Sequence, residues 1–479
     1  MGYRRPMPGG RQRRGRASRA SRGVALASVG AAALLGLALA PPAEGALPPG
    51  YGGRLRLPAT APLRLPDPRR VDTPLEATLA HAVFDTLYRL DARGVARPSL
   101  ALGPPERTEE GVLVRLREGI RRHDRRPLRA RDVARSLDRA HRGEAAAWLA
   151  GFGTRTDGRL DVEAIDAQTL RLQAPEGFPV ARRLAALPLA IVLGRGTGTG
   201  PFRPRMRGGA LRLYQFRAAA RGAPHLREVW VEPPRPREEE LRAFELGELD
   251  GSWRGASLYG QARRPVEELA LPAETPVLLA VRQDRPALRQ SGAALAQAID
   301  RRRLARAGLV PAASLAEGMP APRLEGTRPP AAPVVLLVRA DDQLQESLAG
   351  ALATRFDELG WRLAAQRVPA ERYDAVVERS GWDLRFVQAP PMLPGSAGLV
   401  ASAFAALGDD EGAARVLQDA LEEPDGAGRH AETLGALVLG HRRAVLHHRP
   451  GLGALSVDPL GRIRLGAVFL PRAETTPGD

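Results

Sequence analysis

Residues 116–133 have the sequence LREGIRRHDRRPLRARDV and connect a predicted strand to a predicted helix. The strand covers Gly111 to Leu116. The helix is indicated by apolar residues spaced along one helical face. These residues are Ala130, Val133, Ala134, Leu137 and Ala140. Because strand-type and helix-type patterns also alternate along the rest of the chain, the sequence predicts an α/β protein.

The same stretch is rich in arginine. Eight arginines lie between Arg115 and Arg131, and no aromatic residue is interleaved with them. Two interpretations stay open. The simpler one is an exposed helix–turn surface, and the other is a phosphate-binding patch, because clustered arginines attract polyanions.

The composition excludes several classes of protein. The chain has 479 residues and a formal net charge of +17, with 44% hydrophobic and 26% charged residues, which is close to ordinary globular usage. Its 51 glycines and 43 prolines are too few for a collagen-like or low-complexity chain. The absence of cysteine excludes disulfides, thiolate metal sites and cysteine nucleophiles. Lysine and asparagine are also absent, so part of the positive charge reflects a compositional bias toward arginine.

Residues 1–45 are predicted to be a signal peptide. Eight arginines lie between Arg4 and Arg22, and an uncharged run rich in alanine and glycine follows from Val24 to Ala40. This run is shorter than the ~20 strongly apolar residues of a membrane-spanning helix. Ala43-Glu44-Gly45 fits the small-x-small cleavage pattern, so we expect a periplasmic protein that begins at Ala46. An uncleaved N-terminal anchor is the alternative.

The mature chain is predicted to contain further elements of both types. Thr73 and Glu76 form a capping box with Pro74 in the first turn, which predicts the start of a helix. Other strands are predicted at 54–57, 189–193, 275–281, 334–338 and 361–368, and other helices at 293–307 and 344–359. The unit at 333–368 therefore predicts a right-handed crossover between parallel strands. The proline-rich segment 311–333 is predicted to be a surface linker.

No catalytic or metal-binding motif stands out. Residues 194–200, GRGTGTG, follow a predicted strand, but they have no G-x-G-x-x-G register, no Lys-Ser/Thr follows, and Pro201 would interrupt a phosphate-binding helix. We interpret them as a structural glycine turn. The eight histidines lack a ligand spacing, and His447 and His448 are adjacent, so they would point to opposite faces of a strand. No cofactor is expected, and an enzyme is not expected.

Seven short motifs occur in a fixed order between residues 50 and 310. They are Leu65-Pro66-Asp67-Pro68, Ala82-Val83-Phe84-Asp85-Thr86-Leu87, Pro98-Ser99-Leu100-Ala101, the stretch 116–133, Gly198-Thr199-Gly200-Pro201-Phe202, Gly247-Glu248-Leu249-Asp250 and Ala298-Ile299-Asp300-Arg301. In this order they resemble the family 5 extracellular solute-binding proteins, which include oligopeptide-, dipeptide- and nickel-binding components of ABC importers. The stretch 116–133 parallels the family pattern LR-x-G-V-x-F-H-D-G-x-P-x-T-A-x-D-V.

The resemblance implies a two-lobed periplasmic-binding-protein type II fold with mixed sheets and a cleft between the lobes. Lobe I would hold residues 46–273 and a C-terminal return at 445–475, and lobe II would hold 274–444. Such a protein would capture a small ligand, peptide-like or other, by lobe closure. It would act as a monomer, deliver the ligand to an ABC permease in the inner membrane, and have no nucleic-acid partner. The alternatives are a transport-independent exported scaffold or binding protein of the same fold, and an arginine-rich polyanion binder.

The resemblance also implies candidate ligand contacts in three segments of the chain. These residues are Thr60, Trp253, Tyr259, Trp382, Asp383, Arg385 and Gln388. For the two tryptophans, burial in the core is the alternative interpretation, because large aromatic side chains are mostly buried whether or not they contact a ligand.

One departure from the family pattern bears on the ligand. Peptide-binding relatives carry an aspartate in this region that pairs with the α-amino group of the ligand, but this sequence has no acid between Asp383 and Asp409. On an alternating strand Asp383 would face away from Trp382 and share a face with Arg385, which could neutralise it. Since an ammonium group in a closed cleft needs a carboxylate, we expect a neutral, apolar or anionic ligand and weak or no binding of zwitterionic peptides.

Overall fold

The structure is a computed structural model. It describes residues 49–471 except for 273–274, 283, 285–287, 289–290, 311–329, 341, 380, 424–426 and 443. The predicted signal peptide and most of the predicted linker lie outside the described residues. Within the described part of the chain, no helix combines the length and the apolar character needed to cross a membrane.

The chain alternates strands and helices, as the sequence predicts. The strands are β1 (Pro49–Gly50), β2 (Arg54–Pro58), β3 (Tyr88–Leu90), β4 (Ala96–Pro98), β5 (Glu106–Thr108), β6 (Gly111–Arg115), β7 (Val162–Ala164), β8 (Thr169–Leu172), β9 (Phe202–Arg207), β10 (Ala210–Gln215), β11 (Glu228–Glu232), β12 (Gly251–Ser252), β13 (Glu267–Leu271), β14 (Pro276–Val281), β15 (Leu309–Val310), β16 (Val334–Arg339), β17 (Leu363–Val368), β18 (Leu384–Gln388), β19 (Ala436–Arg442), β20 (Ala444–His448) and β21 (Leu470–Pro471).

The helices fall mainly in the second half of the chain. They are α1 (Pro74–Val83), α2 (Ala130–His141), α3 (Val180–Arg183), α4 (Arg237–Glu245), α5 (Gly292–Ala298), α6 (Arg301–Arg306), α7 (Gln343–Glu358), α8 (Ala370–Glu378), α9 (Ser396–Leu407), α10 (Asp410–Glu422) and α11 (Ala427–Ala431). Short 3-10 helices occur at Ala146–Leu149 and Leu187–Leu189.

The described strands form separate sheets. In the first half of the chain, one sheet has the order β2-β11-β10-β9 and another has the order β5-β6-β8-β7. In the first of these, β2 runs parallel to β11 and the other neighbours are antiparallel. A six-stranded sheet of order β15-β19-β14-β18-β16-β17 and a three-stranded sheet of order β12-β20-β13 come from the second half.

The strand–helix–strand unit at 334–368 confirms the predicted parallel pairing of its two strands. β16 and β17 are parallel neighbours, and β18 lies parallel to β16 on its other side. Asp342 caps the intervening helix α7, because its carboxylate accepts hydrogen bonds from the N–H groups of Leu344 and Gln345 at 3.1 and 3.2 Å.

The three-stranded and six-stranded sheets are joined twice by the chain. β13 leads into β14, and β19 leads into β20. β13 pairs with β20 in one sheet, and β14 pairs with β19 in the other, both antiparallel. The strands that flank the two connections are therefore neighbours in both sheets.

Among the described residues, buried apolar side chains form a large cluster, a smaller one and two minor ones of three residues each. The large cluster joins α1, α2 and the sheets of the first half to the helices α9–α11. The smaller cluster lies between the six-stranded sheet and α7. β14 is buried on both faces: Leu278 belongs to the large cluster, whereas Val277 and Leu279 belong to the smaller one. This explains why the strand is apolar without alternation.

Local sequence signals predict several elements correctly. The Thr73–Glu76 capping box is present at the start of α1, with Pro74 in the first turn. The strands expected at 54–57, 111–116, 275–281 and 334–338 form as β2, β6, β14 and β16, within one residue at each end. The helix expected from Ala130 forms as α2.

Two predicted elements are wrong. Residues 189–193 do not form a strand: Leu187–Leu189 is a 3-10 helix, and the N–H of Leu193 closes a turn onto the Thr197 carbonyl at 2.9 Å. The helix predicted at 293–307 is two helices, α5 and α6. It breaks because the Asp300 carboxylate accepts hydrogen bonds from the N–H groups of Arg302 and Arg303, which starts a new helix.

Candidate functional site

A cavity of about 400 Å³ lies at the carboxyl ends of two parallel strands. Arg339 ends β16 and Gln388 ends β18, and both line this cavity. The opposite wall comes from the segment between β2 and α1, including Arg69 and Asp72. In open α/β sheets, ligands bind at the carboxyl ends of the strands, and this volume is at the lower end of the range for small-molecule sites.

A second cavity of about 440 Å³ adjoins the first. Arg64, Arg70, Arg339 and Asp374 line both cavities. Most of the other residues around the second cavity belong to the segment after β2 and to the glycine turn at 194–196. The two cavities therefore form one arginine-rich depression, which we call the central cavity.

Ion pairs connect the two walls of the central cavity. Arg64 lies 2.9 Å from a carboxylate oxygen of Asp72 and 3.1 Å from one of Glu76. Arg339, from β16, approaches the same Asp72 carboxylate at 3.4 Å. Asp72 thus connects two segments that lie far apart in the sequence. Burial raises the pKa of the Glu76 carboxyl and of the α7-capping Asp342 carboxyl.

Two of the seven candidate contacts lie together on β18. Arg385 and Gln388 both line the 400 Å³ cavity. The Gln388 side-chain oxygen accepts a hydrogen bond from Arg442 Nη1 at 2.8 Å, and burial lowers the pKa of the Arg442 guanidinium. Arg385 Nη2 donates to the Leu407 carbonyl at 3.4 Å, and its Nε has no hydrogen-bond partner among the described residues.

Trp382 and Asp383 lie just before β18 and do not line the central cavity. The Asp383 carboxylate accepts a hydrogen bond from the Val335 N–H at 2.8 Å, so it holds the start of β18 beside β16. The Trp382 indole donates to the Val377 carbonyl at 3.0 Å, and the guanidinium of Arg385 lies 5.4 Å from its ring centre. Asp383 therefore supports the sheet, and Trp382 flanks Arg385.

Of the remaining candidate contacts, Thr60 lies in the first half of the chain, and Trp253 and Tyr259 lie just after its midpoint. Thr60 lines a small depression of about 20 Å³ beside Arg64. Trp253 is half-buried: its indole donates to the Pro58 carbonyl at 3.0 Å, and its backbone N–H donates to the Glu240 carboxylate at 2.8 Å. Tyr259 is 78% exposed. The structure does not bring Trp253 or Tyr259 to the central cavity.

The motif residues of 116–133 and 198–202 contact each other. His123 Nδ1 accepts a hydrogen bond from the Gly198 N–H at 3.1 Å, and His123 Nε2 lies 3.0 Å from the Gly200 carbonyl. The ring is therefore neutral with its proton on Nε2. A methyl group on Gly198 would lie 2.3 Å from the Val83 carbonyl oxygen, which explains the need for glycine and confirms the structural turn.

Two aspartates in the other motifs also stabilise the fold. Asp85 is buried, accepts a hydrogen bond from the Thr199 hydroxyl at 2.7 Å, and forms an ion pair with Arg221. Asp250, only 1% exposed, pairs with Arg56 at 3.1 Å and with Arg449 at 3.0 Å. His123, Asp85 and Asp250 do not line the central cavity, so these three motif residues stabilise the fold and do not form the cavity wall.

Sequence reasoning missed several residues of the cavity wall, notably Arg69, Arg339, Asp342 and Asp410. A signal was present for two of them. Arg339 and Asp342 follow a continuous apolar strand and precede a helix, which is where ligand-binding residues of α/β sheets occur. Among the described residues, no cluster of three or more histidine, aspartate or glutamate side chains could hold a metal ion.

Solved structures of binding proteins share this fold. The murein tripeptide binding protein MppA of Escherichia coli is 14% identical, with a TM-score of 0.70, over 90% of this chain and 100% of that one. The oligopeptide-binding protein AppA of Bacillus subtilis, in complex with a nonapeptide, is 14% identical, with a TM-score of 0.68, over 88% and 100%. The PBP AgaA of A. tumefaciens R10, in complex with agropinic acid, is 16% identical, with a TM-score of 0.65, over 86% and 96%.

At the level of sequence, no protein-family model matches the chain, and no curated protein matches it either. The similarity to the solved binding proteins therefore lies in the course of the backbone and in the order of the short motifs. It extends over nearly the whole of each similar structure. The chain has the mixed α/β fold of the oligopeptide-binding type of solute-binding protein.

Proposed function

We propose that the chain is an exported solute-binding protein that captures a small ligand and delivers it to an ABC permease in the inner membrane. It acts in the periplasm as a monomer, after removal of residues 1–45, and performs no chemistry on the ligand. The observation that carries the proposal is the central cavity, which is lined by the carboxyl ends of β16 and β18 and faced by the segment before α1. The similar structures support the same role, because they include binding proteins in complex with a nonapeptide and with agropinic acid.

We further propose that two lobes close over the ligand, with lobe I at 46–273 and 445–475 and lobe II at 274–444. The paired connections from β13 to β14 and from β19 to β20 support this division, because they join the three-stranded and six-stranded sheets close to these boundaries. Strands that connect two lobes can absorb the rotation of a hinge motion.

Opening requires the helices α9–α11 to separate from the first half of the chain. At present Arg183 Nη2 donates to the Leu417 carbonyl of α10 at 2.9 Å, and Arg182 Nη2 donates to the Pro394 carbonyl at 3.2 Å. Apolar side chains of α9 and α10 also belong to the large cluster. In this proposal the described arrangement is assigned to the closed form of the cycle.

Of the seven candidate contacts, Arg385 and Gln388 are supported as ligand contacts by their place in the cavity wall, and Thr60 by its place beside Arg64. Trp253, Tyr259, Trp382 and Asp383 can contact the ligand only if the open form brings them to the cavity.

The test measures whether a ligand compacts the protein. The full chain is screened by thermal shift against peptides, sugars, organic acids and metal chelates, and each hit is measured by small-angle X-ray scattering. We expect at least one compound to raise the melting temperature and to lower the radius of gyration, because a ligand at 100-fold its Kd adds about 2.7 kcal/mol of stability. Stabilisation without compaction contradicts lobe closure. Binding only to generic polyanions, with steep salt dependence, favours the polyanion alternative.

A further inference from the structure

The central cavity is lined by both arginines and carboxylates, and some of the arginines have no carboxylate partner. Five arginines line the 400 Å³ cavity: Arg64, Arg69, Arg70, Arg339 and Arg385. Three of them pair with carboxylates, namely Arg64 and Arg339 with Asp72 and Arg70 with Glu144. Within the part of the chain that the structure describes, Arg69 and Arg385 form no ion pair.

Arg385 projects from β18 and is half-buried. Its Nη2 donates to the Leu407 carbonyl at 3.4 Å, the Tyr373 side chain is a second hydrogen-bonding neighbour, and its Nε has no partner among the described residues. Burial lowers the pKa of this guanidinium, which means that the surrounding carboxylates compensate only part of its lost hydration. A guanidinium presents five N–H donors in a fork that fits an anionic oxygen pair, and most of these donors are not used.

Arg69 repeats this arrangement on the opposite wall. Its Nη2 donates to the Ser136 carbonyl at 3.2 Å, and its Nε has no partner among the described residues. Burial also lowers the pKa of the Arg69 guanidinium. Two half-buried arginines, each held by one main-chain carbonyl, therefore line one cavity.

The carboxylates of the cavity do not offer an equivalent site for a cation. Asp342 is buried but is used as the cap of α7. Asp374 and Glu378 are exposed on α8, where water solvates them. Asp410 is half-buried in the first turn of α10, and burial together with the neighbouring Asp409 raises the pKa of its carboxyl, which favours the uncharged form.

We propose that the central cavity binds a small organic anion, and that a carboxylate or phosphate group of this ligand is held by the unpaired guanidinium groups of Arg385 and Arg69. The inference rests on the proposed function, since it names the class of solute that the protein captures. Charge-assisted, bidentate hydrogen bonds to arginine are among the strongest polar contacts in proteins, so an anionic oxygen group is the natural partner of these two side chains.

The test is a binding assay by calorimetry at low and moderate salt with the full chain. The probes are succinate, citrate, inorganic phosphate, 1,4-diaminobutane, Ala-Ala and N-acetyl-Ala-Ala. We expect binding of at least one anion, and tighter binding of N-acetyl-Ala-Ala than of zwitterionic Ala-Ala. A comparison of succinate with phosphate separates a carboxylate ligand from a phosphate ligand.

Variants then locate the site. Arg385→Met and Arg69→Met should each raise the Kd of the bound anion at least 10-fold. Arg117→Met is the matched control: Arg117 is also half-buried, its Nη2 donates to the Ala220 carbonyl at 2.7 Å, and its Nε has no partner among the described residues. It lies outside the central cavity, so its loss should leave the Kd within about 2-fold. Circular dichroism and melting temperature establish that each variant is folded.

Several outcomes overturn the inference. They are binding of 1,4-diaminobutane or of Ala-Ala in preference to every anion, equal loss of affinity in all three variants, and no binding of any anion at 10 mM. If a sugar or a metal chelate compacts the protein while no anion binds, the proposed function stands and the organic-anion inference fails. The two proposals can therefore fail separately.

Discussion

His123 Nδ1 accepts the N–H of Gly198 at 3.1 Å, which fixes the glycine turn against the Arg-rich stretch. Burial lowers the pKa of this imidazole, and backbone hydrogen bonds offset only part of the effect. Below pH 6.5 the unfolded chain takes up a proton at His123 that the folded protein does not, so the free energy of unfolding falls as the pH is lowered.

We therefore expect acid destabilisation that depends on His123. Between pH 7.5 and 5.5 the free energy of unfolding should fall more in the unmodified protein than in His123→Gln, which cannot titrate. The limiting slope for one histidine is about 1.4 kcal/mol per pH unit. Urea unfolding at three pH values measures the difference. His81, whose pKa burial also lowers, is present in both proteins and cancels. Identical pH profiles would falsify the assignment.

The glycine turn should not accept a side chain. Gly198→Ala places a methyl group 2.3 Å from the Val83 carbonyl and 2.8 Å from the Phe84 ring, so backbone must move. We expect a loss of at least 2 kcal/mol, measured by chemical unfolding. Gly350→Ala is the control: it lies in the middle of α7 with no atom within 4 Å of the added methyl, and should stabilise by about 0.5–1 kcal/mol. Equal effects of the two changes would contradict this account.

The buried Asp250 carboxylate should matter more than an exposed one. Asp250→Ala leaves Arg56 and Arg449 without their common partner, and we expect a loss of about 3 kcal/mol. Glu163→Gln, which breaks an exposed pair with Arg171, should cost less than 1 kcal/mol. Thermal or urea unfolding of both variants measures the loss in the free energy of unfolding at each site. A similar small effect at both sites would show that Asp250 is not a structural anchor.

Export can be tested directly on protein from its native host. We expect the mature N-terminus at or near Ala46, because Ala43-Glu44-Gly45 fits a signal cleavage site. Mass spectrometry of the periplasmic and membrane fractions measures it. Recovery of an intact N-terminus starting at Met1 in the membrane fraction would support the uncleaved anchor instead.

The fold was predictable from local signals and the order of the motifs. The capping box at the start of α1 and the apolar strand β16 are determined by residues close together in the sequence. Local sequence patterns therefore predict both elements. The break between α5 and α6 was missed because Asp300 stands inside an apparently continuous helical pattern and caps the second helix.

The candidate site was predictable only in part. Arg385 and Gln388 both lie on β18, and the carboxyl end of this strand borders the cavity. Their positions in the strand therefore account for their place in the cavity wall. Trp253 is held elsewhere by Glu240 and the Pro58 carbonyl, long-range contacts that no sequence pattern reveals. Arg69 reaches the cavity through the packing of an irregular proline-rich segment, so neither periodicity nor spacing identifies it.

The strand pairing at the passage between the three-stranded and six-stranded sheets has a mechanical consequence. β13 is hydrogen-bonded to β20 in one sheet, and β14, which follows β13, is hydrogen-bonded to β19, which precedes β20, in the other. Bending a pair of hydrogen-bonded strands out of the plane of their sheet changes backbone torsions but keeps the hydrogen bonds. Bending the pair within that plane must shear the hydrogen bonds. We therefore expect the resistance to displacement to depend on direction, with one sheet rotating against the other more easily about one axis than about the others.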